Sequence, residues 1–389
     1  VVCELAQDRR ILAATHDAIV VLKWGPAVTD APSSRLETFD RDRPSRRRLL
    51  QALSAIALTP ASALAASARQ SPKRGWIGAA PTLPFAPTGW KTVLLDHLSC
   101  KAEDPEKEAA FYNALMNWAV RENRDGETVL DIGDWGGIII RRGYHPSAAQ
   151  ISAERAQYDR RAARARTRGF QMGPFVARKA MFDHVCWGIE PWDARAVEAA
   201  LKARGLDPVA DNRAPDFESF HIKDPDGFDL QISNGTRQNR HASAASGRPS
   251  APAPFAHTDW KTVWLDHMSY QCSDYRRTVA FYQALLGWEP WLDFGDSNQV
   301  RIGAIGDTII RNHFDGGQGV LIDHISFGIA PFDAHTVKTA LEQRGLPAMA
   351  DTGGDAPIET APYKSYHTST PNGFDLQISN ADSMNRGES

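Results

Sequence analysis

HIKDPDGFDLQISN, residues 221–234, reads as two short strands around a tight turn, and it occurs twice, returning as HTSTPNGFDLQISN at 367–380. If the turn spans Asp224 to Phe228, counting outward sets Lys223 opposite Asp229 and His221 opposite Gln231. Side chains alternate along a strand, so His221, Lys223, Asp229, Gln231 and Ser233 share one face, and Phe220, Ile222, Leu230 and Ile232 the other. The second copy repeats the division, with His367, Ser369, Asp375, Gln377 and Ser379 against Tyr366, Thr368, Leu376 and Ile378. The apolar face suits packing under helices, and a histidine and a glutamine share the polar one. Any half-exposed antiparallel strand alternates in this way, so the pattern alone does not define a site.

The repetition runs through most of the chain. GWKTVLLDHLS at 89–99 answers to DWKTVWLDHMS at 259–269, and the same shift of 170 carries Phe111-Tyr112 onto Phe281-Tyr282, Trp118 onto Trp288 and Ile139-Ile140-Arg141 onto Ile309-Ile310-Arg311. FDHVCWGIEPWDA at 182 then answers to IDHISFGIAPFDA at 322 with a shift of 140. The first copy therefore carries about thirty extra residues, roughly 146–175, including the basic helix-forming run AERAQYDRRAARARTRGF. That run is expected to be a solvated helix or a lid.

Within each copy a finer unit recurs: an apolar strand with Asp-His, an amphipathic helix, then further strands. Asp-His opens all four units, at His97, His184, His267 and His324. The expected fold class is α+β, from tandem βαβββ modules, two per domain, forming two cupped mixed sheets with helices on the convex side. The first domain is placed at 88–235 and the second at 258–381. The Ser-, Ala-, Pro- and Arg-rich stretch at 236–257 reads as a linker.

A βαβββ unit used twice per domain, opening on a His-bearing strand and closing on DPDG before a ligand strand, resembles the vicinal oxygen chelate superfamily of glyoxalases, bleomycin-resistance proteins and extradiol dioxygenases. The resemblance covers nearly everything from residue 88 to 381. It implies a divalent metal on the concave face, held by the first strand of each unit and the last strand of the second. Carried onto this chain, the ligands are His97, His184 and Gln231 in the first copy and His267, His324 and Gln377 in the second. Iron is the first expectation, with zinc, nickel and manganese as alternatives. Extradiol dioxygenases place a glutamate where Gln231 and Gln377 stand, and a tyrosine ten residues earlier, where this chain has His221 and His367.

Glutamine keeps an oxygen donor but removes a full negative charge from around the metal, so affinity for a hard ion should fall. Three readings remain open. Each cup holds a metal through two histidines and an amide oxygen; or the metal is lost and the cup is a small-molecule pocket, as in the drug-sequestering branch; or the Asp-His pairs are structural. In the first reading the ion acts on a substrate chelated through vicinal oxygens, and His221 and His367 are the acid/base candidates, since imidazole titrates near neutrality.

The remaining features limit the setting. With 389 residues, 42% hydrophobic content and a formal charge of -3, the chain has material for full cores and no overall pull toward nucleic acid or membrane. Cys3, Cys100, Cys186 and Cys272 form no CxxC pair. The N-terminal 1–70 reads as an extension followed by a twin-arginine-like signal: Ser45-Arg46-Arg47-Arg48, a modest apolar run, then small residues at Ala63–Ala68. Export to the periplasm without a stable membrane anchor is expected, with a small-molecule substrate, as a monomer with paired domains or a homo-oligomer. No nucleophile triad and no phosphate-binding loop is found.

Overall fold

The computed structural model describes residues 10–15, 18–23 and 72–385, apart from 134–135, 168–173, 213–215, 241–246, 314–319 and 355. The signal-like segment at 45–70 lies outside the described residues. Strands β1 (Arg10–Thr15) and β2 (Ala18–Lys23) make an antiparallel hairpin of their own. Residues 67–389 form a separate compact unit.

That unit begins with the short β3 (Lys73–Arg74). The first copy follows as β4 (Lys91–Ala102), α1 (Pro105–Met116), β5 (Ala119–Arg124), β6 (Glu127–Ile132) and β7 (Gly136–Arg142), then α2 (Ala148–Thr167), β8 (Ala180–Glu190), α3 (Ala194–Lys202), β9 (Val209–Ala210), β10 (Ser219–Lys223) and β11 (Asp229–Ser233). A short α4 (Arg237–Arg240) leads to the second copy: β12 (Lys261–Cys272), α5 (Tyr275–Leu286), β13 (Glu289–Asp293), β14 (Ser297–Ile302), β15 (Gly306–Asn312), β16 (Leu321–Ala330), α6 (Ala334–Gln343), β17 (Met349–Asp351), β18 (Ser365–Ser369) and β19 (Asp375–Ser379). No helix among the described residues is long and apolar enough to cross a membrane.

Each copy folds into one mixed sheet, in the order β5-β6-β7-β4-β8-β11-β10-β9 and β17-β18-β19-β16-β12-β15-β14-β13-β3. This is the expected α+β architecture of paired βαβββ modules. The opening strands of the two modules lie side by side and antiparallel, β4 against β8 and β12 against β16, which brings the Asp-His pairs to the middle of each sheet. The closing hairpin has the register counted from its turn: His221 faces Gln231 and His367 faces Gln377. Asp104 caps α1 by accepting the Lys107 N–H, and Asp274 caps α5 in the same way from Arg276 and Arg277.

The two copies bury a shared core and exchange matched contacts. The Trp118 indole N–H donates to Thr262 Oγ at 2.8 Å, and that of Trp288 to Thr92 Oγ at 2.9 Å. Trp118 stacks on Tyr112 and Trp288 on Tyr282, with centroids 4.8 and 4.6 Å apart. The recurrent tryptophans are thus an interface device, each filling apolar volume while its N–H reaches a partner in the other copy.

Candidate functional site

A β-strand sends neighbouring side chains to opposite faces, so an aspartate beside a histidine should point away from it. A bulge removes that conflict. Leu95 pairs with Trp187 and His97 with Cys186, which leaves Asp96 as the extra residue; Ser99 pairs with His184 and Cys100 with Phe182, which leaves Asp183. The second sheet repeats this at Asp266 and Asp323. Every Asp-His pair therefore sits at a bulge, where the unpaired residue is re-aimed and its carboxylate can stay with the adjacent imidazole.

The consequence is a fixed orientation of four rings. Nδ1 of His97 lies 2.7 Å from Asp96, that of His324 3.2 Å from Asp323, that of His267 3.4 Å from Asp266, and that of His184 3.6 Å from Asp183. A ring whose Nδ1 hydrogen faces a carboxylate presents its lone pair at Nε2. Those Nε2 atoms meet in pairs, 3.2 Å apart for His97 and His184 and 3.0 Å for His267 and His324. Burial lowers the His184 and His324 imidazoles below the ordinary histidine range, which favours the neutral, ligating form. Burial alone would raise the Asp266 carboxyl, but His267 and the Tyr363 hydroxyl outweigh it and bring it down to about 2.

Two facing lone pairs repel unless a proton or a cation joins them. A separation near 3 Å suits adjacent ligands of one ion, each about 2.1 Å away. The glutamines supply a further test. Gln377 Nε2 donates to Ser365 Oγ at 2.7 Å and to the Tyr363 hydroxyl at 3.2 Å, while its Oε1 is buried without a hydrogen-bond partner. An amide fixed by its nitrogen with an orphaned oxygen fits an oxygen donor to a cation. His267, Ser326, Gln377 and His367 stand in one cross-strand row, so they share a face of the sheet.

The first cup is similar without being identical. Gln231 Nε2 donates to Ser219 Oγ at 2.8 Å, and the row reads His97, Cys186, Gln231, His221. Cys186 takes the place of Ser326, whose hydroxyl donates to Asp266 at 2.8 Å, and Phe217 takes the place of Tyr363, which donates to the same carboxylate at 2.6 Å. Asp96, His97 and Cys186 offer ligand atoms within 4.8 Å of one another.

His221 and His367 lie against this centre, their rings 5.1 Å from those of His184 and His324. Each is held between two carboxylates: His221 by Asp229 at 2.9 Å and Asp211 at 3.4 Å, His367 by Asp375 at 2.9 Å and Asp351 at 3.3 Å. Burial would lower the His367 ring, but Asp375 and Asp351 outweigh it and push it up to about 10. Near neutrality His367 is thus a charged hydrogen-bond donor. The strand does not shift register to bring Asp229 or Asp375 in as ligands; both carboxylates instead accept from the neighbouring imidazole.

A cavity of about 200 Å³ opens beside the second centre; His367, Asp323 and Asp375 line its floor, whereas His267, His324 and Gln377 are not among its lining residues. Its far wall comes from the first copy's extra segment, α2 and the residues after it, which expectation placed as a solvated helix or a lid.

Several supporting residues were not singled out from the sequence: Tyr363, Asp211 and Asp351, and the serines Ser219 and Ser365. Asp211 and Asp351 recur under the shift of 140 and Ser219 and Ser365 under that of 146, so the repeat carried the signal. Which residue each one meets depends on strand pairing.

No protein-family model matches the sequence, and no curated protein matches it. Among solved structures, the Mn(II)-bound glyoxalase from Novosphingobium aromaticivorans superposes with a TM-score of 0.50 at 14% identity, covering 75% of this chain and 82% of its own. The 2,3-dioxygenase LapB from Pseudomonas sp. KL28 gives 0.49 at 13% identity, covering 74% and 92%. Homoprotocatechuate 2,3-dioxygenase from Brevibacterium fuscum gives 0.48 at 15%, covering 78% and 74%. With its four βαβββ modules paired into two sheets, the chain has the vicinal oxygen chelate fold, present here as a tandem pair.

Proposed function

We propose that each cup holds a divalent cation and that the protein acts on a small molecule gripped through neighbouring oxygens, in the manner of a glyoxalase or a ring-cleaving dioxygenase. The observation that carries this reading is the pairing of Nε2 atoms 3.0 and 3.2 Å apart, with each Nδ1 turned to its own carboxylate. His97, His184 and Gln231 would hold one ion and His267, His324 and Gln377 the other, with iron, zinc, nickel or manganese as the candidates. Such an ion supplies Lewis acidity toward chelated oxygens. The surrounding residues supply the rest: the aspartates fix the ligating tautomer, and Ser365 and Tyr363 fix the Gln377 amide. His221 and His367 are assigned the handling of protons, His367 by turning toward the bound molecule one of the N–H groups that face Asp375 and Asp351.

The neutral glutamines favour a second reading, a metal-free binder, because an amide contributes no charge to hold an ion. The test is to load the purified protein with Fe²⁺ or Mn²⁺ and assay it with catechols and with hemithioacetals. Metal-dependent turnover lost in His267→Ala and His324→Ala supports the enzyme; ligand binding that is indifferent to metal supports the binder. We also propose periplasmic export in the folded state, on the basis of the twin-arginine-like segment. Fusing residues 41–70 to a reporter that is active only after twin-arginine transport would test it.

A further inference from the structure

The extra segment of the first copy crosses to the second. The link from β15 to β16 in the second copy occupies only 313–320, whereas the link from β7 to β8 in the first spans 143–179 and includes α2. Just before it enters β8 it is tied to the second copy by backbone and side chain. Lys179 N–H donates to the Asn372 carbonyl at 2.6 Å, and the Arg178 guanidinium donates to the carbonyls of Ile322 and Asp323 at 3.2 and 2.8 Å. A Cβ on Gly373, whose φ is +73°, would stand 2.4 Å from the Ala177 carbonyl, so this crossing needs a glycine there; Gly227, its counterpart in the first copy, has nothing within 4 Å.

The segment is also tied to itself. Glu154 of α2 accepts the Arg178 backbone N–H at 3.0 Å, and Tyr158 packs on Phe175 with centroids 5.4 Å apart. These residues face the cavity beside the second centre. One side of it is aromatic and aliphatic, with Tyr158, Phe175, Leu321 and Met349; the floor has the His367 ring and the Asp375 and Asp323 carboxylates. The volume of about 200 Å³ far exceeds the share of a water molecule in the liquid, about 30 Å³. Of the two cations in the lining, Arg178 is committed to backbone carbonyls and His367 to Asp375 and Asp351, and with Glu154, Asp323 and Asp375 the lining is net negative and unfavourable to an anion.

We infer that the first copy's insertion is the selecting wall of a chamber in the second copy, and that this chamber takes an uncharged, flat-ringed molecule. The ring lies against Tyr158 and Phe175, and its polar edge faces His367, Asp323 and Asp375. This rests on the reading of the second cup as a small-molecule site, and it divides labour between the copies: one supplies the floor, the other the wall.

Calorimetric titration of the full chain with 2,3-dihydroxynaphthalene and with its anionic counterpart 2,3-dihydroxynaphthalene-6-sulfonate tests it, in EDTA and again in Mn²⁺. The uncharged probe should bind about tenfold tighter than the anion, and Phe175→Ala, at an unchanged melting temperature, should weaken it about tenfold. Met349→Trp, which fills the chamber, should abolish binding, whereas Val209→Trp at the matching position of the first cup should leave it within about twofold. Binding that ignores Phe175→Ala, a stronger response to Val209→Trp than to Met349→Trp, a preference for the anion, or no binding at all overturns the inference. Wall-dependent binding in EDTA upholds the chamber even where no cation is held. Binding that requires Mn²⁺ and ignores Phe175 upholds the cation and overturns the wall.

Discussion

Asn372, in the last hairpin turn of the second copy, donates its side-chain amide to Glu108 of the first copy at 2.8 Å, and its backbone N–H to the same oxygen at 3.2 Å. The matching turn of the first copy has the polarity reversed: Asp226 accepts from the Thr278 hydroxyl at 2.9 Å and from the Arg277 guanidinium at 3.0 Å. Each copy's closing turn thus docks on the other's opening helix, and the difference between DPDG and TPNG is matched by the residue it meets, Thr278 or Glu108.

Asn372→Asp sets two carboxylates together in a buried place and should destabilise the fold by about 2–4 kcal/mol at neutral pH. Burial already raises the Glu108 carboxyl above its ordinary range, although Asn372 pulls it back. A carboxyl raised on folding binds its proton more readily in the folded state, so stability falls as pH rises from the ordinary glutamate value through the raised one. The variant should deepen that fall and recover in mild acid. Urea melts at pH 5 and pH 8, with wild type beside the variant, give the sign.

Thr262→Val and Thr92→Val each strand an indole N–H, of Trp118 and Trp288 respectively. Each should lose about 1–3 kcal/mol, by similar amounts, because the two contacts are matched across the interface. Chemical denaturation of the single variants checks both the size and the equality.

Asp96→Asn and Asp323→Asn keep the shape of the side chain facing Nδ1 while removing its charge. Cation affinity at the corresponding cup should fall about 10–100-fold. Competition against a chelating dye reads this.

Gln377→Glu adds the charge that the amide lacks. Ser365 and Tyr363 accept from the amide, and their own hydrogens go to the Asp351 carbonyl and to Asp266, so without a cation the new carboxylate enters a place that offers it no donor. Divalent affinity at the second cup should rise at least about tenfold, while the metal-free variant should be less stable than wild type, with a buried carboxylate near Asp266. Opposite signs with and without metal separate a ligand position from a packing position.

The repeat made the architecture legible, because a duplicated strand pattern with a counted turn fixes module order and hairpin register locally. His97, His184, His267 and His324 were legible for the same reason, since an Asp-His pair in every module points to one repeated position. The role of the aspartates was not, because it depends on bulges that only the pairing of β4 with β8 and of β12 with β16 creates. The crossing of α2 to the other copy was equally hidden. Composition gives the basic run up to Thr167 its helix, but the residues that hold the end of the segment at 177–179, Ile322, Asn372 and Gly373, are about 140 to 200 positions away. His367 shows the same limit: imidazole suggests a neutral-range base, and the carboxylates of Asp351 and Asp375, brought in by tertiary pairing, make it a persistent cation.

Everything proposed for the cups depends on paired imidazoles gripping an ion, and metal analysis of the purified chain, loaded with Mn²⁺ and freed of excess by gel filtration, addresses that directly. About two ions per chain are expected, falling to about one in His184→Ala and to about one in His324→Ala. A folded wild-type chain that retains none, or a count unmoved by either substitution, would contradict it.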